Sequence, residues 1–519
     1  MSRFKHFTRS MLSSYVFLGV NVLYTLASVP LALKYLSKAE FGLWALTVQI
    51  ANYIVLIDLG MVSSVSRILI DCKDQRADGR YGAVIKCGFL VGAAQGVIAL
   101  VVGLSLVWFM GGWLEVPSEL AHPFLCLMIG QILITSGTLV TRMFYQVLAA
   151  WQRLDVFNYS QLVQLVVGFG IMWLGFWIGL GVYSMLAGAV LGWILSSIIC
   201  AVICQMLGFW PRTGEWGRTS WPQFRELFTY GADVFMMVLG SQVIFSSQVV
   251  LVSRELGVEM AALWSVMTKA FNLVVAVVWR IVGNAMPAFA EMHVRQEHER
   301  FWHRYRTLFI IVNVMAGYCA VMLAVCNDPF VTLWTDGKFA WHGIDDILLG
   351  VWLVFLTQVC SNNALIVNLK QIKGLKYVYL LEGIVFIVVM LLFLRQGGTE
   401  FMLCCSIVCA LALSWSNGLW RIGKLAGCGW KPLLWDWQVP LFRLLVIMVP
   451  SGVFIHWAAG NAPLWCQLAL NCLLPGAIGA WALVRFALPQ EVFAELASKL
   501  PAPLRKSTVA FRPQHGRSG

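Results

Sequence analysis

The sequence predicts an all-α polytopic membrane protein. It should have about fourteen transmembrane helices, as two pseudo-symmetric six-helix bundles plus a C-terminal helix pair. Three observations predict this. Of the 519 residues, 60% are apolar and 12% are charged; soluble domains carry roughly 25% charge. Mean hydropathy is +0.77, and the apolar residues come in runs of about twenty, enough to cross a hydrocarbon core of about 30 Å. Finally, Lys and Arg gather in alternate connections between those runs.

The apolar segments lie at roughly 11–34, 41–66, 87–111, 122–148, 157–179, 183–207, 229–252, 260–290, 307–330, 346–369, 376–395, 401–420, 438–458 and 464–487. Helices are expected, because a lipid-exposed backbone must satisfy its own hydrogen bonds. Barrel strands need only about ten alternating residues, and these runs are longer and continuous. Trp108, Trp113, Trp151, Trp341 and Trp435 lie near span ends, where interfacial anchors belong. The first span follows a basic start, as a signal peptide would, but it is too long for a signal core and reads as a retained helix.

Charge orients the chain. With the N-terminus in the cytoplasm, 28 of the 37 Lys and Arg residues fall on the cytoplasmic side and five on the outer side. This bias predicts an even number of spans with both termini cytoplasmic. The formal net charge of +12 then reads as orientation and attraction to anionic headgroups, not as a nucleic-acid surface. Membrane lipids are expected partners and nucleic acid is not.

The domain reading is a 1–207 lobe, a 208–228 cytoplasmic connection, a 229–420 lobe, a 421–487 helix pair and a basic 488–519 tail. Pro211, Gly214, Gly217 and Pro222 break the connection. A shift of 220 residues places Leu36 on Leu256 and Leu43-Trp44 on Leu263-Trp264. Each match closes a short outer loop and opens a span, so the repeat is parallel. Transporters are often built from such repeats, with the substrate between the halves.

Neither the cysteines nor the histidines suggest chemistry. Most of the 14 cysteines lie within spans and none form CxxC, so they read as small fillers of helix interfaces. His293, His298 and His303 recur every five residues. Five steps turn a helix by about 500°, so they share no face, and they read as solvated. No metal or other cofactor is expected. GxxxxGK[ST] is absent, which excludes an ATP-binding engine in this chain. No outer loop is long enough to carry acid–base catalysis, so the chain reads as a non-enzyme.

The candidate site is read from charges placed inside spans, each costing about 2.5–3.5 kcal/mol to insert. Lys269 and Arg280 are eleven residues apart. Eleven steps of about 100° return a helix to within about 20° of one face, about 16 Å further along. Asn272 and Asn284 lie near this stripe. Arg142 on the fourth span supplies a third cation. Together they are expected to line a cationic cavity for an anionic head such as a diphosphate, which Arg and Lys bind by charge-assisted hydrogen bonds. Arg142 and Arg280 also lie near enough to the inner surface to snorkel. Lys269 is deeper, and Arg443 reads as an interfacial anchor. Asp58, just before Gly60, is positioned to pair with a cavity cation or to carry a coupling proton. Asp233 and Glu382 suit structural pairing or ion coupling. Pro30 removes a backbone hydrogen bond and serves as a kink or a gating hinge.

Three stretches carry a family resemblance: LKYLSKAEFGLWAL from Leu33, IDLGMVSSVSR from Ile57 and ELGVEMAALWSV from Glu255. Together they resemble the polysaccharide transporter family, the Wzx-type flippases of O-antigen and exopolysaccharide repeat units. These belong with the lipid II flippases and the multidrug and toxin extrusion transporters. Asp58, Gly60 and Arg67 match that family's DLG…R stretch; Phe41, Gly42 and Trp44 match its FGxW entry to the second span. Ser37 stands where the family often has Gly, and Ala262 to Ser265 depart from the usual small-aromatic-Ser pattern. The resemblance implies two six-helix bundles in a V, alternating access, and a cargo of oligosaccharide on a polyprenyl diphosphate. A polysaccharide polymerase or export machinery is a candidate partner. The alternatives are an ion-coupled multidrug or metabolite exporter of the same superfamily and a surface-polysaccharide polymerase or ligase.

Overall fold

The computed structural model describes residues 3–58, 78–113, 117–151, 153–219, 247–339, 343–369, 374–427 and 431–489, with isolated positions between and after them. The described residues form helices and no strands. The helices are α1 (Arg3–Tyr35), α2 (Lys38–Ile54), α3 (Arg80–Trp113), α4 (Ser118–Ala150), α5 (Leu154–Trp177), α6 (Tyr183–Met206), α7 (Val258–Met267) and α8 (Lys269–Val294). They continue with α9 (His298–Trp334), α10 (Gly343–Asn368), α11 (Leu375–Ala410), α12 (Ser416–Ala426), α13 (Val439–Ala459) and α14 (Leu464–Ala482).

Among the described residues, ten helices are long and apolar enough to cross a membrane, or eleven when the bent pair Val258–Met267 and Lys269–Gly283 is one span. That count treats Leu375–Ala426 as a single span. The side chains show otherwise. Gly398 has φ 63° and ψ −162°, and Ser414 donates to the Glu382 carboxylate at 3.2 Å. In a straight helix residues 32 apart would be separated by about 48 Å. The chain therefore folds back at Gly398, and the two predicted spans 376–395 and 401–420 form a hairpin. Only glycine takes this backbone conformation without strain.

The eighth predicted span is not one helix. α7 and α8 meet at Thr268 with a bend of 48°. A side chain explains the break: Asn327 Nδ2 donates to the Met267 carbonyl at 3.1 Å. Insertion of a polar side chain into the helix ladder is a recognised cause of kinks. By contrast, α1 runs through Pro30 without interruption. The seventh predicted span, with Asp233, lies outside the described residues.

The chain divides into two compact units, Met1–Ser265 and Val266–Gly519. In the first, small residues set the packing of α3 on α4. A Cβ at Gly92 would stand 2.7 Å from the Leu139 carbonyl oxygen, and one at Gly96 would stand 3.0 Å from that of Ser136. Such spacing lets two membrane helices approach backbone to backbone. Gly42 of α2 abuts the main chain of Val258, where α7 begins, so the two segments related by the 220-residue shift touch. Large apolar side chains such as Leu90, Val97, Val101 and Trp108 remain exposed along α3, as a helix bathed in lipid requires.

In the second unit α13 and α14 pack on α9. Asn313, Gln358 and Gln438 form a buried amide network: Asn313 donates to Gln438 at 2.6 Å, and Gln358 donates to both at 3.0 and 3.1 Å. Trp415 Nε1 completes it at 2.7 Å from Gln358 Oε1. Further along, Tyr318 donates to the Gly476 carbonyl at 3.1 Å and Asn471 to that of Val325 at 2.8 Å. The C-terminal pair is thus built into the second unit's core.

Candidate functional site

Close packing of α3 and α4 brings Gln95 and Arg142 together, and a 3-10 turn, Val55–Asp58, delivers Asp58 to them from the end of α2. Arg142 Nη1 is ion-paired with the Asp58 carboxylate, and Arg142 Nη2 donates to Gln95 Oε1. Gln95 Nε2 in turn donates to the Asp58 main-chain carbonyl at 2.8 Å. That bond caps a carbonyl left open where the turn ends. Asp58 and Arg142 are 20% and 14% exposed. Here the guanidinium is held but not sealed.

Arg142 also lines a cavity of about 380 Å³ between α4, α5 and α6, with Thr138, Thr141, Gln161, Gln164 and Ser196. Trp193 and Tyr145 add aromatic faces. Trp193 Nε1 donates to Thr141 at 3.4 Å, and Gln161 to Ser196 at 3.3 Å. Hydroxyls and amides beside a guanidinium thus share a half-open cavity with a larger apolar lining that includes Ile134, Phe144 and Phe157.

In the second unit α8 buries Phe271, Val278 and Val282, with Phe271 stacked on Trp352 at 5.0 Å. The opposite face is open. Lys269 and Asn272 are exposed, and Arg280 is half-buried. Among the described residues Lys269 makes no hydrogen bond or ion pair, whereas Arg280 does have a partner. Lys269 is the first residue of α8, beside the break that the sequence did not foretell. The Asn284 side chain lies outside the described residues, as do Gly60 and Arg67.

Glu382 is buried and accepts from Ser414 at 3.2 Å. His293, His298 and His303 are exposed. Among the described residues no group of three or more His, Cys, Asp or Glu side chains could hold a metal ion.

Sequence reasoning missed Gln95, although a lone amide in an apolar span is a recognisable signal. It also missed a clasp on the 208–217 segment. The Arg76 guanidinium lies 5.1 Å from the Tyr81 ring and 4.7 Å from that of Trp151, and donates to the Gly208 carbonyl at 2.9 Å. Trp151 stacks on Phe209 at 5.0 Å, and Tyr81 donates to the Phe209 carbonyl at 2.9 Å. Gly79 and Gly217 touch at the main chain. The connection is therefore strapped to the first unit over its opening residues.

Comparison with known proteins fits this architecture. A lipid II flippase MurJ structure matches with a TM-score of 0.63 at 14% identity, covering 94% of this chain and 98% of its own. An inward-facing multidrug resistance MATE family transporter of the MOP superfamily matches at 0.62 and 13% identity, covering 78% and 95%. A MOP superfamily transporter from Pyrococcus furiosus, whose binding pocket is described as of reverse polarity, matches at 0.52 and 14%, covering 81% and 96%. No curated protein matches the sequence. The fold is that of the MOP superfamily of membrane transporters. A family model described as "Polysaccharide biosynthesis protein" matches residues 33–339, and the chain belongs to that family. It is thus a multi-pass helical membrane protein of that family.

Proposed function

We propose that this protein is a flippase. It would carry polyprenyl-diphosphate-linked oligosaccharide repeat units across the bacterial inner membrane, by alternating access, for surface polysaccharide synthesis. The observation that carries the reading is the setting of Arg142: a guanidinium inside an apolar bundle, bordering a chamber of hydroxyls, amides and aromatic rings. That donor mix suits a sugar, and the guanidinium suits the phosphate attached to it. Lys269, Asn272 and Arg280 supply a second cationic surface, on which an anionic head gains what hydrocarbon denies it.

The Asp58–Arg142 pair gives the cycle a physical basis. Asp58 is a resident anion that keeps Arg142 satisfied when no cargo is present. An arriving diphosphate competes for the same guanidinium, and the displaced carboxylate frees the end of α2. Cargo is attracted without being trapped, because Asp58 can return. The halves 1–207 and 229–420 are the units proposed to alternate, Pro30 and the 57–67 stretch the elements proposed to move, and both termini are placed in the cytoplasm. A cation-exporting drug pump would favour anionic cavity walls; cations in the spans favour the flippase over that exporter.

The test is the leaflet in which undecaprenyl-linked glycan accumulates when the protein is absent. Inner-leaflet accumulation is expected. Outer-leaflet accumulation would indicate a polymerase or ligase, and altered drug susceptibility with normal surface glycan an exporter.

A further inference from the structure

The cysteines, expected as fillers of helix interfaces, include one pair that the fold brings together from far apart in the chain. Cys326 lies toward the end of α9 and Cys472 in the first half of α14. Both are free thiols, Cys326 half-buried and Cys472 exposed, and their sulfurs stand 3.5 Å apart. Cys405 and Cys409 are also close, at 3.8 Å, but on successive turns of one helix. There the helix itself sets the spacing. Cys326 and Cys472 meet across two helices.

The packing around them fixes that meeting. Asn471, fully buried, donates to the Val325 carbonyl at 2.8 Å, so the residues just before the two cysteines are already joined. Further down the same interface Tyr318 donates to the Gly476 carbonyl at 3.1 Å, and a Cβ at Gly479 would stand 2.7 Å from the Tyr318 ring. The helices are antiparallel and held in register. Bonded sulfurs stand about 2.05 Å apart, so the thiols need approach by only about 1.5 Å more.

Depth and side decide what such thiols meet. Trp457 and Trp465 are 78% and 65% exposed, as residues of an interfacial aromatic belt are. His456, beside Trp457, meets Asn471 with Nδ1 3.1 Å from Nδ2. The pair thus lies close beneath that belt. The Lys and Arg distribution places this end of α9 and α14 on the outer side, where disulfides form and persist. We propose that Cys326 and Cys472 form a disulfide that staples α14 to α9. The oxidant is a disulfide-bearing thiol oxidoreductase of the outer compartment. Exposed Cys472, as thiolate, attacks that disulfide and forms a mixed disulfide, releasing one oxidoreductase sulfur as a thiol. Cys326 loses its proton and attacks Cys472 Sγ. The Cys326–Cys472 bond forms as the mixed disulfide breaks. The two cysteines have then given up two protons and two electrons, and the oxidoreductase disulfide has become a dithiol. A link closing so long a loop restricts the unfolded chain strongly and commits the C-terminal pair to the second unit. The pairing rests on the orientation read from Lys and Arg, and on nothing about the cargo.

The experiment starts from cells making the full-length protein, quenched in acid. Free thiols are blocked with N-ethylmaleimide, disulfides are reduced, and the released thiols are labelled with iodoacetamide before mass spectrometry. Cys326 and Cys472 are expected to carry mostly the second label, and Cys200 and Cys360 the first. A digest without reduction should give one cross-linked peptide containing both residues. In Cys472→Ser, Cys326 should return to the first label. Reductant should lower the Tm of the purified wild type and leave that of Cys472→Ser unchanged. Both thiols carrying the first label in the wild type overturns the proposal. So does a Cys326 that keeps the second label in Cys472→Ser, since its partner would then lie elsewhere. Tm insensitive to reductant overturns the staple. A reporter fused after Lys338 separates the causes. Reduced thiols with that reporter on the outer side refute the pairing itself, and a cytoplasmic reporter refutes the orientation beneath it.

Discussion

Arg142 is the residue on which packing, electrostatics and the proposed transport meet. A charge in a span must be paired or hydrated, and here Asp58 and Gln95 meet that need together. Breaking one side of a buried pair costs about 3–5 kcal/mol, whereas replacing both costs far less. Arg142→Gln is therefore expected to destabilise the protein by about that amount. Adding Asp58→Asn should recover most of the loss, as read by thermal unfolding of the two variants. Equal losses in single and double variants would show that the pair is not a unit. Lys269 behaves differently, being exposed and without a partner among the described residues. The double variant Lys269→Gln/Arg280→Gln is expected to insert and unfold normally yet stop export of lipid-linked glycan. Full export by that variant removes both residues from the site. Lys269, Arg280, Arg142 and Asp58 were legible in the sequence because a charge among apolar residues stands out. Gln95, Asn327 and Asp346 were not singled out, since their meaning depends on partners 19 to 60 residues away.

At the scale of elements, glycine and amide side chains set the geometry. The approach of α3 to α4 depends on Gly92, whose added Cβ would sit 2.7 Å from the Leu139 carbonyl oxygen. Gly92→Val is expected to push the helices apart, at about 1–3 kcal/mol for overpacking, and to separate Gln95 from Arg142. A lowered Tm together with reduced export checks it; wild-type Tm would argue against close contact. Span existence was readable from apolar runs alone. Two element-level features were not. The α7–α8 break comes from Asn327 on another helix, which no local pattern within 258–294 reveals. The 208–217 clasp relies on Arg76 reaching the Gly208 carbonyl, a pairing set by how the bundle closes. The loop between spans eleven and twelve, by contrast, follows from the gap between the predicted spans 376–395 and 401–420, and the structure turns at Gly398 within it.

Over the whole molecule, the distribution of basic residues decides topology. With 28 of 37 Lys and Arg assigned to one side, both termini are expected in the cytoplasm. A fluorescent protein fused after Gly519 should fluoresce, and alkaline phosphatase fused after Lys338 should be active. The reverse pattern would invert the topology.

Composition and the spacing of apolar runs determined by themselves that this chain is a helical membrane protein. The reason is that lipid imposes one rule on every backbone group. Motif stretches within residues 33–339 carried the family. Only the tertiary structure decided what each intramembrane charge meets: Arg142 held by Asp58 and Gln95, Lys269 open beside a break, and Asp346 buried against Asn327. Burial cost belongs to a residue and its span, but its relief comes from side chains far away in sequence, and only folding brings those together.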